Sequence, residues 1–268
     1  MKLGLNIGEI YAVKAALLPQ SDFLGIFALY DEGIRAAGDN PLLYRLRSEE
    51  DQRVGRMTEG IADANQALQL DPLSPALQDS FVSALAYAGK IDAAYAQLRK
   101  AEVTWPGARN IQMARYRLDL RYGDPRQALA AARSGIGSGS DPALENFIMA
   151  RIDPSPANIQ KAIDEERVQF AQEPRYIAGL LQVLGQFGRI DDAIAVMLNY
   201  TRPDAIGFNA EVMFRPSMRN VWRDPRSIAG AAHVGFLRFW EKSGRWPDFC
   251  ADPTLPYDCK KEAAKYRV

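Results

Sequence analysis

Apolar and small residues recur along most of this chain at intervals close to the 3.6-residue helical turn, and almost nowhere at the two-residue interval of a strand. Residues 56–72, RMTEGIADANQALQLDP, place Met57, Gly60, Ile61, Ala64, Ala67, Leu68 and Leu70 along one stripe and stop at Asp71-Pro72. Residues 89–106 repeat the arrangement with Ala94, Leu98 and Ala101 and stop at Trp105-Pro106. Residues 123–135, GDPRQALAAARSG, supply Ala128, Ala132 and Gly135. No Asn-Gly or Asp-Gly turn separates β-branched runs, so an all-α chain is expected.

The stripes share a register. Ile26, Gly60, Ala94, Ala128 and Ala162 are each 34 residues apart. Tyr30, Ala64, Leu98 and Ala132 follow four positions later, and Gly33, Ala67, Ala101 and Gly135 seven later. Gly55, Gly89 and Gly123 fall in the turn before the second helix of their units, where a tight link favours glycine. A further unit has Gly188 and Ala193 in these roles, with Ala193 only 31 residues after Ala162, which predicts one shortened turn.

This register resembles the tetratricopeptide repeat family, over residues 7–200 and most strongly at LDPLSPALQ (70–78) and AYAGKIDAAYAQLRKAE (86–102). The resemblance implies a right-handed α-solenoid of five to six helix pairs that binds proteins or peptides on its concave side. The first and fifth units match weakly, and the family's bulky residue early in the first helix is Tyr44 in one unit and Gln78 in the next.

From residue 203 the pattern gives way to a segment rich in Trp, Pro, Phe and Arg, which divides the chain into a repeat domain (1–202) and a C-terminal module (203–268). Phe214-Arg215-Pro216, Arg223-Asp224-Pro225-Arg226, Phe239-Trp240 and Gly244-Arg245-Trp246-Pro247-Asp248-Phe249-Cys250 resemble the tail of bacterial tetratricopeptide regulators, including membrane-anchored transcription regulators and cyclase-type signalling proteins. That resemblance implies a sensory or assembly fragment as the alternative function. Trp222, Phe236, Phe239, Trp240, Trp246, Phe249 and Tyr257 are read as a cap on the last repeat, or else as a docking surface.

Composition narrows the function classes. Lys+Arg at 33 balances Asp+Glu at 33, which argues against a general nucleic-acid binder. Charges or prolines interrupt every apolar run, so no membrane insertion is expected. A complete chain would be cytoplasmic, and a part of a membrane-anchored regulator would be periplasmic. Homo-oligomerisation stays open.

Candidate chemistry is sparse. The single histidine, His233, lies in a helix-like run without a nucleophile elbow, so a packed or surface imidazole is expected and no enzyme. The glycines of SGIGSGSDP (134–142) lack the strand and Gly-Lys-Ser/Thr of a phosphate loop and read as a turn. Cys250 and Cys259, nine residues apart, are too widely spaced for a usual zinc pair and read as a disulfide or two packed thiols. No metal or cofactor is called for. The acidic runs Glu49-Glu50-Asp51, Glu165-Glu166 and Asp191-Asp192 are expected to be solvated faces or helix-start charges.

With Pro41, Pro75, Arg109 and Pro174 as unit starts, the ligand-facing positions implied by the family include Arg45, Glu49, Arg53, Tyr87, Asn110, Arg117, Arg121, Arg175 and Gln182. Arginines four apart project from one helix face, and guanidinium forks suit carboxylates. An acidic peptide or a chain-terminal carboxylate is therefore the expected ligand, with pairing of these arginines to local acids as the competing arrangement.

Overall fold

A computed structural model describes residues 7–137 and 141–266, with the side chains of 203–208 outside the description. Residues 138–140 of the glycine-rich linker also lie outside it. The described residues are helical and contain no strand.

Twelve helices form six consecutive pairs: α1 (Ile7–Ala16) with α2 (Phe23–Ala36), α3 (Pro41–Arg53) with α4 (Met57–Leu70), α5 (Pro75–Tyr87) with α6 (Ile91–Thr104), α7 (Arg109–Arg121) with α8 (Pro125–Arg133), α9 (Pro142–Ile152) with α10 (Pro156–Gln172), and α11 (Ile177–Gln186) with α12 (Ile190–Leu198). A 3₁₀ turn, Pro174–Tyr176, leads into α11. Three-residue links join the partners in every pair but the first, whose link is six residues. The first helices α1, α3, α5 and α7 also pack on one another in succession.

The helix starts are written locally. Asn40, Ser74, Asp124, Asp141 and Ser155 each precede a proline and cap their helix through a side-chain oxygen that accepts a backbone N–H. Proline at the first helical position adds no orphan donor and presets the backbone angle. The far end of α7 is closed differently: the Arg151 guanidinium donates to the carbonyls of Asp119, Leu120 and Gly123.

The repeating small residues mark where helices touch. Ala94, Ala128, Ala162 and Ala193 are completely buried. At Gly60, α3 and α4 come so close that the Ser48 hydroxyl donates to the Gly60 carbonyl at 2.6 Å. The register breaks at its fourth unit: α8 ends at Arg133, and Gly135, expected on the buried face, is exposed with φ +86°. A left-handed glycine just past the last turn ends a helix rather than continuing it. The shortened spacing has a specific location. Four residues separate α4 from α5 and α6 from α7, whereas Glu173 alone separates α10 from Pro174.

Beyond α12 the chain runs through two 3₁₀ stretches within Pro203–Phe214 that meet at a kink at Asn209. It continues through α13 (Arg219–Trp222), α14 (Arg226–His233), α15 (Phe236–Ser243) and α16 (Cys259–Ala263). Cys250 is bonded to Cys259. Residues on both sides of position 202 share one core. Phe23 of α2 lies 5.7 Å from Phe236 and 6.0 Å from Phe239 between ring centroids, and Phe27 stacks on Phe239 at 5.1 Å. The same core holds Leu181 and Leu184 of α11 and Met197 of α12. The tail aromatics therefore meet the first pair of helices as well as the last.

Polar contacts fix that crossing. Asp31 of α2 accepts from Arg47 at 2.9 Å and from Arg245 at 2.7 Å, while Arg47 forks onto both oxygens of Asp63. The backbone N–H of Asp248 donates to the Gly55 carbonyl, and its carboxylate accepts from the N–H and hydroxyl of Thr58.

Among the described residues, no helix is long and apolar enough to cross a membrane.

Candidate binding surface

The predicted ligand-facing residues lie on α3, α5, α7, the turn before α11, and α11 itself, and the structure brings only some of them together. Arg53, Glu49, Tyr87 and Arg117 line one cavity of about 260 Å³ with Gln52, Asp79, Ser80, Ser83, Asn209 and Glu211. Its walls come from three successive first helices and from the tail. Its charges are mixed: Arg45 pairs with Glu49, Arg53 with Glu50, and Arg117 with Asp79. These pairs satisfy the guanidinium groups internally, so a ligand carboxylate would compete with Asp79 for Arg117. Burial pushes the Asp79 carboxyl up, and the Arg117 charge beside it works the other way.

Five of the predicted residues lie outside this cavity, among them Arg45, which pairs with Glu49, and Arg121. Asn110 is exposed at the start of α7, and Arg175 pairs with Glu173 and lies over the Tyr176 ring, away from this cavity. Gln182 is buried, donates to the Ser217 hydroxyl at 3.1 Å and accepts from Arg215 at 3.2 Å, so it holds the tail.

Arg215 is the residue that repeat periodicity missed. It is 7% exposed, lies over the Tyr87 ring at 4.5 Å, and donates to Glu211 at 2.8 Å. The segment around it packs against both α3 and α11, occupying the space that the first helices face. Burial disfavours its charge, but Tyr87, Glu211 and Tyr122 outweigh that and hold its pKa above the ordinary guanidinium value. Its neighbour Arg121 has the opposite balance: burial, then the charge of Arg215, lowers its pKa. The Phe214-Arg215-Pro216 run was the available signal, because a following proline biases the arginine away from helical backbone.

The acidic runs do not all face solvent. Glu50, Asp51 and Glu166 are buried at 4%, 3% and 7% exposure. Burial pushes Glu50 up to about 7 against the pull of Arg53, and Asp51 up to about 8 against Arg56. Adjacent acids on a helix occupy different faces, so a run can turn a carboxylate inward, as Glu49-Glu50-Asp51 and Glu165-Glu166 do and Asp191-Asp192 does not. Of these three, Glu166 has no cationic partner among the described residues; burial first, then Asp141 and Glu165, raise it to about 7.

A larger cavity of about 500 Å³ lies across the tail, between Met57, Ile61 and Gly89 and the side chains of Phe214, Trp222 and Phe249. His233 faces the Tyr200 carbonyl at 2.8 Å and has no acid or nucleophile among its hydrogen-bond partners. Among the described residues, no three His, Cys, Asp or Glu side chains gather in a way that would hold a metal ion. Compared with models of protein families and with characterised proteins, the sequence matches none.

Proposed function

We propose that this chain is a non-enzymatic peptide-binding scaffold, built as a tetratricopeptide-like right-handed solenoid whose tail covers the last pair and crosses to the first. The observation that carries the reading is the 260 Å³ cavity, because its walls combine Arg53, Asp79, Ser83 and Arg117 from three successive first helices. Groups converging from separate elements around a concavity are the usual form of a recognition site. An acidic peptide or chain terminus fits best, exchanging its carboxylate for Asp79 on Arg117.

The test blocks the cavity without breaking an ion pair. Ser80 lines the cavity and its hydroxyl bonds only within α5, to the Ala76 carbonyl. Panning a random peptide library with free C-termini should enrich acidic sequences on the wild-type protein, and the S80W variant should fail to retain them. Equal retention by both proteins refutes the reading.

The Cys250–Cys259 bond supports a second reading, in which the chain is the sensory or assembly portion of a bacterial transcription regulator or nucleotide cyclase, placed in the periplasm. Structural disulfides persist chiefly in oxidising compartments. Thiol titration of protein taken from its source cell should find both cysteines unreactive until a reductant is added; free thiols would remove this reading.

A further inference from the structure

Behind the peptide-facing cavity lies a smaller chamber of about 210 Å³, bounded by α7, α9, α10, α11 and the tail. Arg121, Arg215 and Glu166 all line it, together with Gln182 and Asn209. At the cationic side, the Nε atoms of Arg121 and Arg215 are both buried without a hydrogen-bond partner, and the Tyr122 hydroxyl beside them is in the same condition. Arg121 makes no ion pair; its guanidinium donates only to the Arg117 carbonyl, at 3.3 Å. Arg215 has a carboxylate partner in Glu211, and Arg121 has none. Two buried like charges with orphaned donors are an unstable arrangement unless an anion joins them.

The other wall carries the complementary defect. Glu166 is buried and forms no ion pair, and the charges that act on it are those of Asp141 and Glu165, both negative. Its place is made by Gly179 of α11, where any Cβ would overlap the carboxylate. Arg121 comes from α7, Arg215 from the tail and Glu166 from α10, so the positive and negative groups reach the chamber from different elements.

We propose that this chamber binds a free amino acid, its carboxylate taken by Arg121 and Arg215 and its ammonium by Glu166. The volume limits the ligand, since sites for drug-sized molecules occupy about 300–1,000 Å³ and this one is smaller. A carboxylate alone would leave Glu166 unpaired, and an amine alone would leave the arginines unpaired. The two cavities meet at Asn209, but peptide capture uses Arg53, Asp79, Ser83 and Arg117, none of which lines the chamber.

Calorimetric titration of the full chain tests this with glycine, alanine, serine, glutamate and 4-aminobutanoate. The controls are acetate, propionate, 3-hydroxypropionate, glutarate and butanoate, which lack the ammonium, and ethylamine, which lacks the carboxylate. At least one amino acid should bind, and its deaminated analogue should bind about tenfold or more weakly, the usual scale for removing a charged partner. Binding near pH 7 should release protons, because the ammonium favours the ionised form of Glu166. R121Q should weaken the amino acid about tenfold or more, and E166Q should make the amino acid and its deaminated analogue bind alike. The inference is overturned if no amino acid binds below roughly 10 mM, if analogue and amino acid bind equally to the wild type, or if both folded variants keep wild-type affinity. Should a variant fail to fold by circular dichroism, the wild-type selectivity and proton release decide. Peptide retention by the S80W pair reads the other cavity, so either site can fail alone.

Discussion

The indole Nε1 of Trp240 donates to the backbone carbonyl of Val54 at 3.0 Å, joining the turn between α3 and α4 to a helix 186 positions later in the chain. Trp240 is fully buried and touches Phe214, Trp222, Phe236, Trp246 and Phe249. W240F keeps most of the ring contacts but leaves a buried carbonyl without its donor, and should lower stability by about 1–3 kcal/mol. W240A should cost about 3–5 kcal/mol. Urea denaturation followed by tryptophan fluorescence and by circular dichroism should give coincident transitions, because the first helices and the tail share this core; separate transitions would show two independent units.

Glycines in equivalent turns should respond unequally. Gly55 and Gly89 both have left-handed backbones, φ +84° and +76°. A Cβ at Gly55 would lie 2.7 Å from Phe214 and from Pro247, whereas at Gly89 it would meet Pro216 at 3.6 Å, an ordinary contact. G89A should cost about 1–2 kcal/mol of backbone strain. G55A should cost that and a clash with the tail, so its melting temperature should fall further in paired thermal scans.

Glu166 makes stability depend on pH. Its folded pKa of about 7 lies above the ordinary 4.5, so the folded state holds a proton that the unfolded state has lost. Its contribution is intact below about pH 4.5, declines as pH rises, and is lost by pH 7 and above. E166Q should therefore stabilise the protein at pH 8 by on the order of 2–3 kcal/mol, with little gain at pH 4. Denaturation midpoints measured at both pH values check the sign; equal effects at both would show that the carboxylate is not the cause.

The Cys250–Cys259 bond closes a short loop, nine positions apart, against a core in which Cys259 is buried. Replacing both with alanine should lower stability by about 2–3 kcal/mol, the range for a loop of this size. Reductant should lower the wild-type midpoint by a similar amount and leave the double variant unmoved, as chemical denaturation would register.

The paired helices were legible in the chain because their signals are local. A capping residue before a proline, a small residue every 34 positions and a glycine after the first helix each act within one or two turns of backbone. The destination of the tail was not legible. Phe236 and Phe239 announce burial, but nothing near them in sequence specifies Phe23 and Phe27 as the surface they meet. The arginines show the same division. Spacing of four placed Arg117 and Arg121 on α7, whereas the pairing of one with Asp79 and the isolation of the other beside Arg215 depend on elements far apart in sequence. Glu166 was misjudged for a related reason: an acidic pair looks the same in sequence whether or not a glycine such as Gly179 opens a buried place for one member.

The contact of Phe23 and Phe27 with Phe236 and Phe239 also sets an order of events during synthesis. At about 5–20 residues per second, the ribosome delivers the later rings on the order of ten to forty seconds after the earlier ones. Until then Phe23 and Phe27 lack the rings of Phe236 and Phe239, and an aromatic surface without its partner is one that chaperones recognise. A nascent chain stalled before residue 236 should therefore stay chaperone-bound, and release should coincide with emergence of the Phe239-Trp240 pair.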